Sequence, residues 1–112
     1  MITDLSYLKN MTDNNPDLIK ELVDIFISQA EEYTKEMQEY YAKSDWQSLS
    51  RLAHKAKSSV AIMGMSDLSE MLKDFELSAR DQKNVDKFFE YITKFNNDIS
   101  IACKELKSLK IK

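Results

Sequence analysis

One glycine and one proline serve the whole chain. An all-β domain needs glycines for its hairpin turns, and a nucleotide-binding α/β domain needs them for the loops that cradle phosphate. A chain with one of each has neither, which leaves helices joined by few, short loops. At 112 residues the chain fits about one domain, read as 1–112. Folding at this length hides roughly 60–70% of the open chain's surface. The apolar share of 43% lies in the normal globular range, so a real core can form.

Four breaks divide the sequence. Asp13-Asn14-Asn15-Pro16 reads as an Asn N-cap followed by proline at the first helical position. Lys43-Ser44-Asp45 offers Asp45 as the next cap, Gly64-Met65-Ser66 a glycine stop followed by a serine cap, and 80–84 a polar stretch. Between the breaks, apolar residues recur at helical spacing. The pattern predicts a short helix over 4–10 and bundle helices over 16–42, 46–63, 67–79 and 85–109. The first long stripe holds Leu18, Leu22, Phe26, Ala30, Tyr33, Met37 and Tyr40, doubled by Ile19, Val23 and Tyr41. The last holds Val85, Phe88, Phe89, Ile92, Phe95, Ile99, Ala102, Cys103 and Leu106. Each helix has one apolar stripe and one charged face. The expected fold is all-α, an antiparallel up-down four-helix bundle with a short N-terminal helix.

Charge and cysteine content exclude several functions. Sixteen Lys plus Arg against nineteen Asp plus Glu give a net charge of −3 and a pI near 5.2, so no broad face for nucleic acid is expected. The basic run Lys104, Lys107, Lys110 and Lys112 suits a solvated helix end. Cys103 has no disulfide partner and falls on an apolar stripe, where packing is its expected role. The six methionines and the aromatic stripe read as core. Glu31, Glu32, Glu36 and Glu39 read as a solvated face, since a di-iron bundle would need Glu-x-x-His pairs. No metal site and no cofactor is expected. The N-terminus lacks the features of a signal peptide, and no apolar run approaches the roughly 20 residues of a membrane span. A cytoplasmic location without membrane contact is expected.

The lone histidine is informative through its direction. Each helical residue advances about 100°. With Trp46 at zero, the core residues of its helix centre near roughly 290°, and His54 falls near roughly 80°, facing water. On that face lie Gln47, Ser50, Lys57, Ser58 and Ala61. Lys57 at i+3 and Ser58 at i+4 are side-chain neighbours of His54. Ala61 is small, and Gly64 ends the helix. A neutral imidazole near pH 7 is a good nucleophile. It can accept a phosphoryl group, and phosphoryl transfer needs positioning and charge stabilisation above all. The lysine suits the phosphoryl oxygens, the serine hydroxyl offers a second donor, and small side chains leave room for approach.

The segment Leu52-Ala-His-Lys-Ala-Lys-Ser-Ser-Val-Ala-Ile-Met-Gly-Met resembles the motif of histidine-containing phosphotransfer (HPt) domains. That motif runs His-x-x-Lys-Gly, with a small residue at i+7 and Gly at i+10. His54, Lys57 and Gly64 match it, and Ala61 fills the small position. Ser58 departs from it, standing where the family usually has glycine. The likeness in helix layout covers about Asn15 to Leu109.

The resemblance implies a free-standing intermediate of multistep phosphorelays. Such a protein carries a phosphoryl group between the aspartates of response-regulator receiver domains, with a hybrid histidine kinase as a further partner. His54 would be the phosphoacceptor, through its distal ring nitrogen, with Lys57 and Ser58 stabilising the phosphate. Ala61 and Gly64 would keep the approach open. Gln47, Ser50, Arg51 and Lys55 would meet the partner, with Ile25 or Ile27 of the first long helix at the border of the patch. Mg²⁺ would sit on the receiver. The chain would be a carrier more than an enzyme, without ATP-dependent kinase activity, since Lys55 follows the histidine where kinases usually carry an acidic residue. A monomer is expected. The alternatives are a degenerate adaptor that binds a receiver without being phosphorylated, and a homodimeric helical sensor.

Overall fold

The computed structural model describes residues 2–109, and among these there is no strand. Five α-helices follow in order: α1 (Ser6–Met11), α2 (Pro16–Ala42), α3 (Trp46–Ile62), α4 (Ser66–Asp81) and α5 (Phe88–Lys107). A 3₁₀ turn over Val85–Lys87 leads into α5. Helices α2 to α5 form the antiparallel up-down bundle, and α1 precedes it. The body measures 44 × 20 × 20 Å. Its long axis is close to the roughly 40 Å that the 27 residues of α2 must span at 1.5 Å each.

Two helix starts follow from local chemistry. The Asn15 side chain accepts from the amides of Asp17 and Leu18, with Pro16 at the first position. The Asp45 side chain accepts from the Ser48 amide. Each satisfies an otherwise orphaned amide. At the third break the expectation needs correction. Ser66 is the first residue of α4, and Met65 stands at its N-cap without a side-chain cap. Met65 is buried in the core, so its packing and not a hydroxyl fixes the entry of α4. The helix also runs beyond the expected end, to Asp81, where Gln82 turns left-handed at φ 55°. Helix α5 starts later than predicted, because Asn84 (φ 57°) supplies no cap and the chain first makes the 3₁₀ turn.

The core is built from the expected stripes with a few exceptions. Ile19, Val23, Phe26, Ala30 and Met37 line it from α2; Leu49, Leu52, Ala53, Ala56 and Val60 from α3; Leu68, Leu72, Phe75 and Ala79 from α4; Phe88, Ile92, Phe95, Ile99, Ala102 and Leu106 from α5. Leu18 (39% exposed) and Phe89 (63%) each lie about 100° from a buried neighbour and face solvent. Val85 is also exposed. Met11 lies on the surface, whereas Met37, Met63 and Met65 are core. Cys103 is half-buried, and burial pushes its thiol up, as suits a packing role. Lys110 and Lys112 of the basic run lie outside the described residues.

The two ends of the bundle are closed differently. At one end Trp46 packs edge-on to Phe88 (5.1 Å between centroids), and Phe75 contacts both Phe88 and Tyr91. At the other, residues 2–5 cross as a strap. The Asp4 amide donates to the Met63 carbonyl (2.9 Å), and the Glu105 carboxylate accepts from the amides of Ile2 and Thr3 and from the Thr3 hydroxyl. No helix among the described residues is long and apolar enough to cross a membrane.

Candidate functional site

His54 stands mid-way along α3 with its side chain 62% exposed. The helical projection anticipates this, since the core arc of α3 lies on its far side. What the projection misses is the neighbour on α4. Helices α3 and α4 pack closely along their length, and His54 and Glu76 lie at similar chain distances from the Gly64 turn. In an antiparallel pair such residues meet. His54 Nδ1 lies 3.1 Å from Glu76 Oε2, and Lys57 Nζ lies 3.0 Å from Glu76 Oε1. One carboxylate therefore holds both the histidine and the lysine.

The charge state of that carboxylate follows from opposed effects. Partial burial raises the Glu76 pKa, but hydrogen bonds from Lys57 and His54 and their charges outweigh it, and the net shift is downward. Glu76 is ionised at neutral pH and accepts on both oxygens. A carboxylate has no proton to give, so Nδ1 of His54 must be the donor. In its neutral form the ring then carries its proton on Nδ1 and its free electron pair on Nε2. The same bond orients the imidazole, as a carboxylate does for histidines in metal and hydrolase sites.

The other anticipated residues differ in where the fold places them. Ser58 and Ala61 are exposed on the His54 side of α3, and Gln47, Arg51 and Lys55 are exposed along the helix. The Gln47 side chain reaches the Arg80 carbonyl (3.3 Å), and Arg51 donates to the Ser48 hydroxyl. Ser50 is a correction. It is 7% exposed and its hydroxyl donates to the Glu76 carbonyl at 2.9 Å. Helix α4 covers that flank, so Ser50 joins the two helices and offers a partner little surface. Lys57 lies on the same flank, 26% exposed.

Gly64 has a different neighbour from the one expected. Its φ is +76°, and a Cβ there would stand 2.3 Å from the Asp4 carbonyl oxygen. The missing side chain admits the N-terminal strap, on the order of 15 Å along α3 from the histidine. On the α2 side, Ile25 is 46% exposed and borders an apolar groove of about 110 Å³ with Met11, Leu22 and Ile62. Ile27 turns toward the core and is half-buried. Among the described residues no group of three His, Cys, Asp or Glu is placed to hold a metal ion.

The Hpt domain family model matches residues 21–107. A solved structure, the crystal structure of histidine-containing phosphotransfer protein B from Pseudomonas aeruginosa, has the same fold. It superposes with a TM-score of 0.84 at 24% identity, covering 94% of this chain and 90% of that one. No curated protein sequence matches the chain. The family match runs from α2 through to the last turn of α5 and includes the whole histidine-bearing helix, so the chain belongs to the Hpt domain family, the phosphotransfer intermediates of two-component phosphorelays.

Proposed function

We propose that His54 is the phosphoacceptor and that Nε2 is the atom that carries the phosphoryl group. The supporting observation is the His54–Glu76 hydrogen bond, which leaves the electron pair of a 62% exposed ring on Nε2. Hpt domains pass phosphate to response-regulator receivers, and the partner here is such a receiver, supplied by a hybrid histidine kinase upstream. The receiver brings the aspartate and the Mg²⁺. The chain brings the imidazole, the Lys57 ammonium and the Ser58 hydroxyl. Lys57 starts on Glu76 and turns to the phosphoryl oxygens once they arrive. Ser58, where the family usually has glycine, costs some room and adds a donor.

The docking face extends from His54 across Arg51 and Lys55 to the apolar groove at Ile25. Ile62 in the groove lies roughly 12 Å along α3 from His54, within one receiver footprint. The bundle buries its own stripes, which favours a monomer, and a receiver partner favours a cytoplasmic location.

Incubation with a phosphorylated receiver and Mg²⁺ tests this reading. Label should appear on the chain in acid-labile, alkali-stable form, and His54→Gln should abolish it while the helical circular dichroism stays unchanged. A chain that binds the phospho-receiver and takes no label would be an adaptor instead.

A further inference from the structure

Helix α3 carries four serines, and three of them are engaged. The Ser48 hydroxyl donates to Asp45 (2.7 Å), the Ser50 hydroxyl donates to the Glu76 carbonyl (2.9 Å), and Ser59 shares a hydrogen bond with the Tyr33 hydroxyl (3.2 Å). Ser58 is exposed, and its hydroxyl meets no partner among the described residues. Ser58 is also where the chain departs from the His-x-x-Lys-Gly pattern. The direction of its side chain gives the free hydroxyl a use. With Trp46 at zero, His54 stands at about 80°, Lys57 at about 20° and Ser58 at about 120°. The lysine and the serine therefore flank the imidazole on opposite sides. Lys57 lies on the α4 side, where Glu76 holds both its ammonium and Nδ1 of the ring. With Nδ1 turned toward α4, Nε2 is turned toward the open side, where Ser58 lies. Helical side chains lean toward the N-terminus, so the Ser58 hydroxyl reaches back over the turn that carries His54.

We propose that Ser58 biases the phosphoryl equilibrium toward this chain, its hydroxyl donating to an oxygen of the phosphoryl group on Nε2 while no receiver is bound. The proposal rests on the carrier reading above. Loading forms one N–P bond and breaks one O–P bond, and the receiver's aspartate leaves as a carboxylate; unloading is the reverse. An interaction made in only one of two states shifts the balance between them by its whole strength. The Ser58 hydrogen bond exists only while the phosphoryl group is on His54. Its hydroxyl gives up water alone, whereas Lys57 must first leave Glu76. The lysine thus serves the exchange, and the serine serves the wait between two receivers. A glycine at this position would leave the waiting group to Lys57 and solvent.

The test measures an equilibrium constant as a ratio of two rates. Loading is followed from a phosphorylated receiver domain, and unloading from the full chain loaded with phosphoramidate, both in single turnovers with Mg²⁺. One receiver serves all variants, so its own contribution cancels between them. Ser58→Ala should lower the constant about three- to tenfold, through faster unloading. Ser58→Thr keeps the hydroxyl and should stay close to wild type. Ser58→Gly should match Ser58→Ala in the constant and exceed it in both rates, because it also clears the approach. An unchanged constant in Ser58→Ala, or a fall in Ser58→Thr as large as that in Ser58→Ala, would overturn the storage role and leave the carrier reading standing. Loading that occurs equally in His54→Gln would overturn both.

Discussion

Glu76 Oε1 lies 3.0 Å from Lys57 Nζ, and this contact fixes the resting position of the lysine. Without it, a long flexible side chain would sample solvent. With it, the ammonium is held one helical turn from His54 and beside the carboxylate that orients the ring. Lys57→Ala removes a charge-assisted hydrogen bond, worth about 1.5–3 kcal/mol when desolvated and less at 26% exposure. Transfer from a phospho-receiver should slow by about ten- to a hundredfold, measured by single-turnover kinetics. The fold should survive, because the lysine borders solvent. An unaltered rate would remove Lys57 from the mechanism.

Ser50 and Ile25 should separate stability from docking. Ser50→Ala deletes the hydroxyl that bridges to the Glu76 carbonyl, and a lost hydrogen bond of that kind costs about 0.5–1.5 kcal/mol. Its receiver affinity should not change. Ile25→Glu should do the reverse. The side chain is 46% exposed, so unfolding midpoints should hold, while a charge on the groove weakens receiver binding by about ten- to a hundredfold. Denaturant melts and titration calorimetry on the two variants check the pair of outcomes.

The contrast shows which parts were legible in the sequence. Caps at Asn15 and Asp45 are chemistry between near neighbours, and so they can be read from a string of letters. The outward direction of His54 depends on the stripe of one helix, and that too is local. Ser50 was misplaced because a single-helix projection does not know that α4 covers its flank. Glu76 was missed as a site residue for the same reason. Its signal was a carboxylate at the margin of the Leu72–Phe75 stripe, about as far beyond the Gly64 turn as His54 is before it, and only the antiparallel register makes that a contact. The strap against Gly64 joins segments far apart in the chain, which periodicity does not report.

Gly64→Ala should be among the more damaging single-methyl additions in this protein. Two separate effects act. The left-handed backbone at φ +76° costs an alanine about 1–2 kcal/mol. The new Cβ would also meet the Asp4 backbone, and overpacking of that kind costs about 1–3 kcal/mol more. Deleting residues 1–4 removes the second effect and leaves the first. The substitution should therefore be less costly in the truncated chain than in the full one, read as a difference of unfolding free energies in urea. Equal costs in both backgrounds would show that the strap does not constrain Gly64.

The strap also predicts a pH dependence. Hydrogen bonds from the Ile2 amide and from Thr3 hold Glu105 below the ordinary glutamate value of about 4.5, against the opposing effect of burial. A lowered pKa in the folded state means that folding favours the ionised form. The stabilisation is complete above the unfolded value and is lost as pH falls through the lower, folded one. The strap should therefore stay closed at pH 6 and loosen in acid, before the bundle itself opens. The amide proton of Thr3, followed by NMR, should titrate with a midpoint below about 4.5. Glu105→Gln keeps an acceptor but no charge, and should give a Thr3 amide shift that no longer moves over that interval. A wild-type midpoint at or above the ordinary glutamate value would mean that the carboxylate gains nothing from Ile2 and Thr3, and that apolar packing alone holds the N-terminal segment.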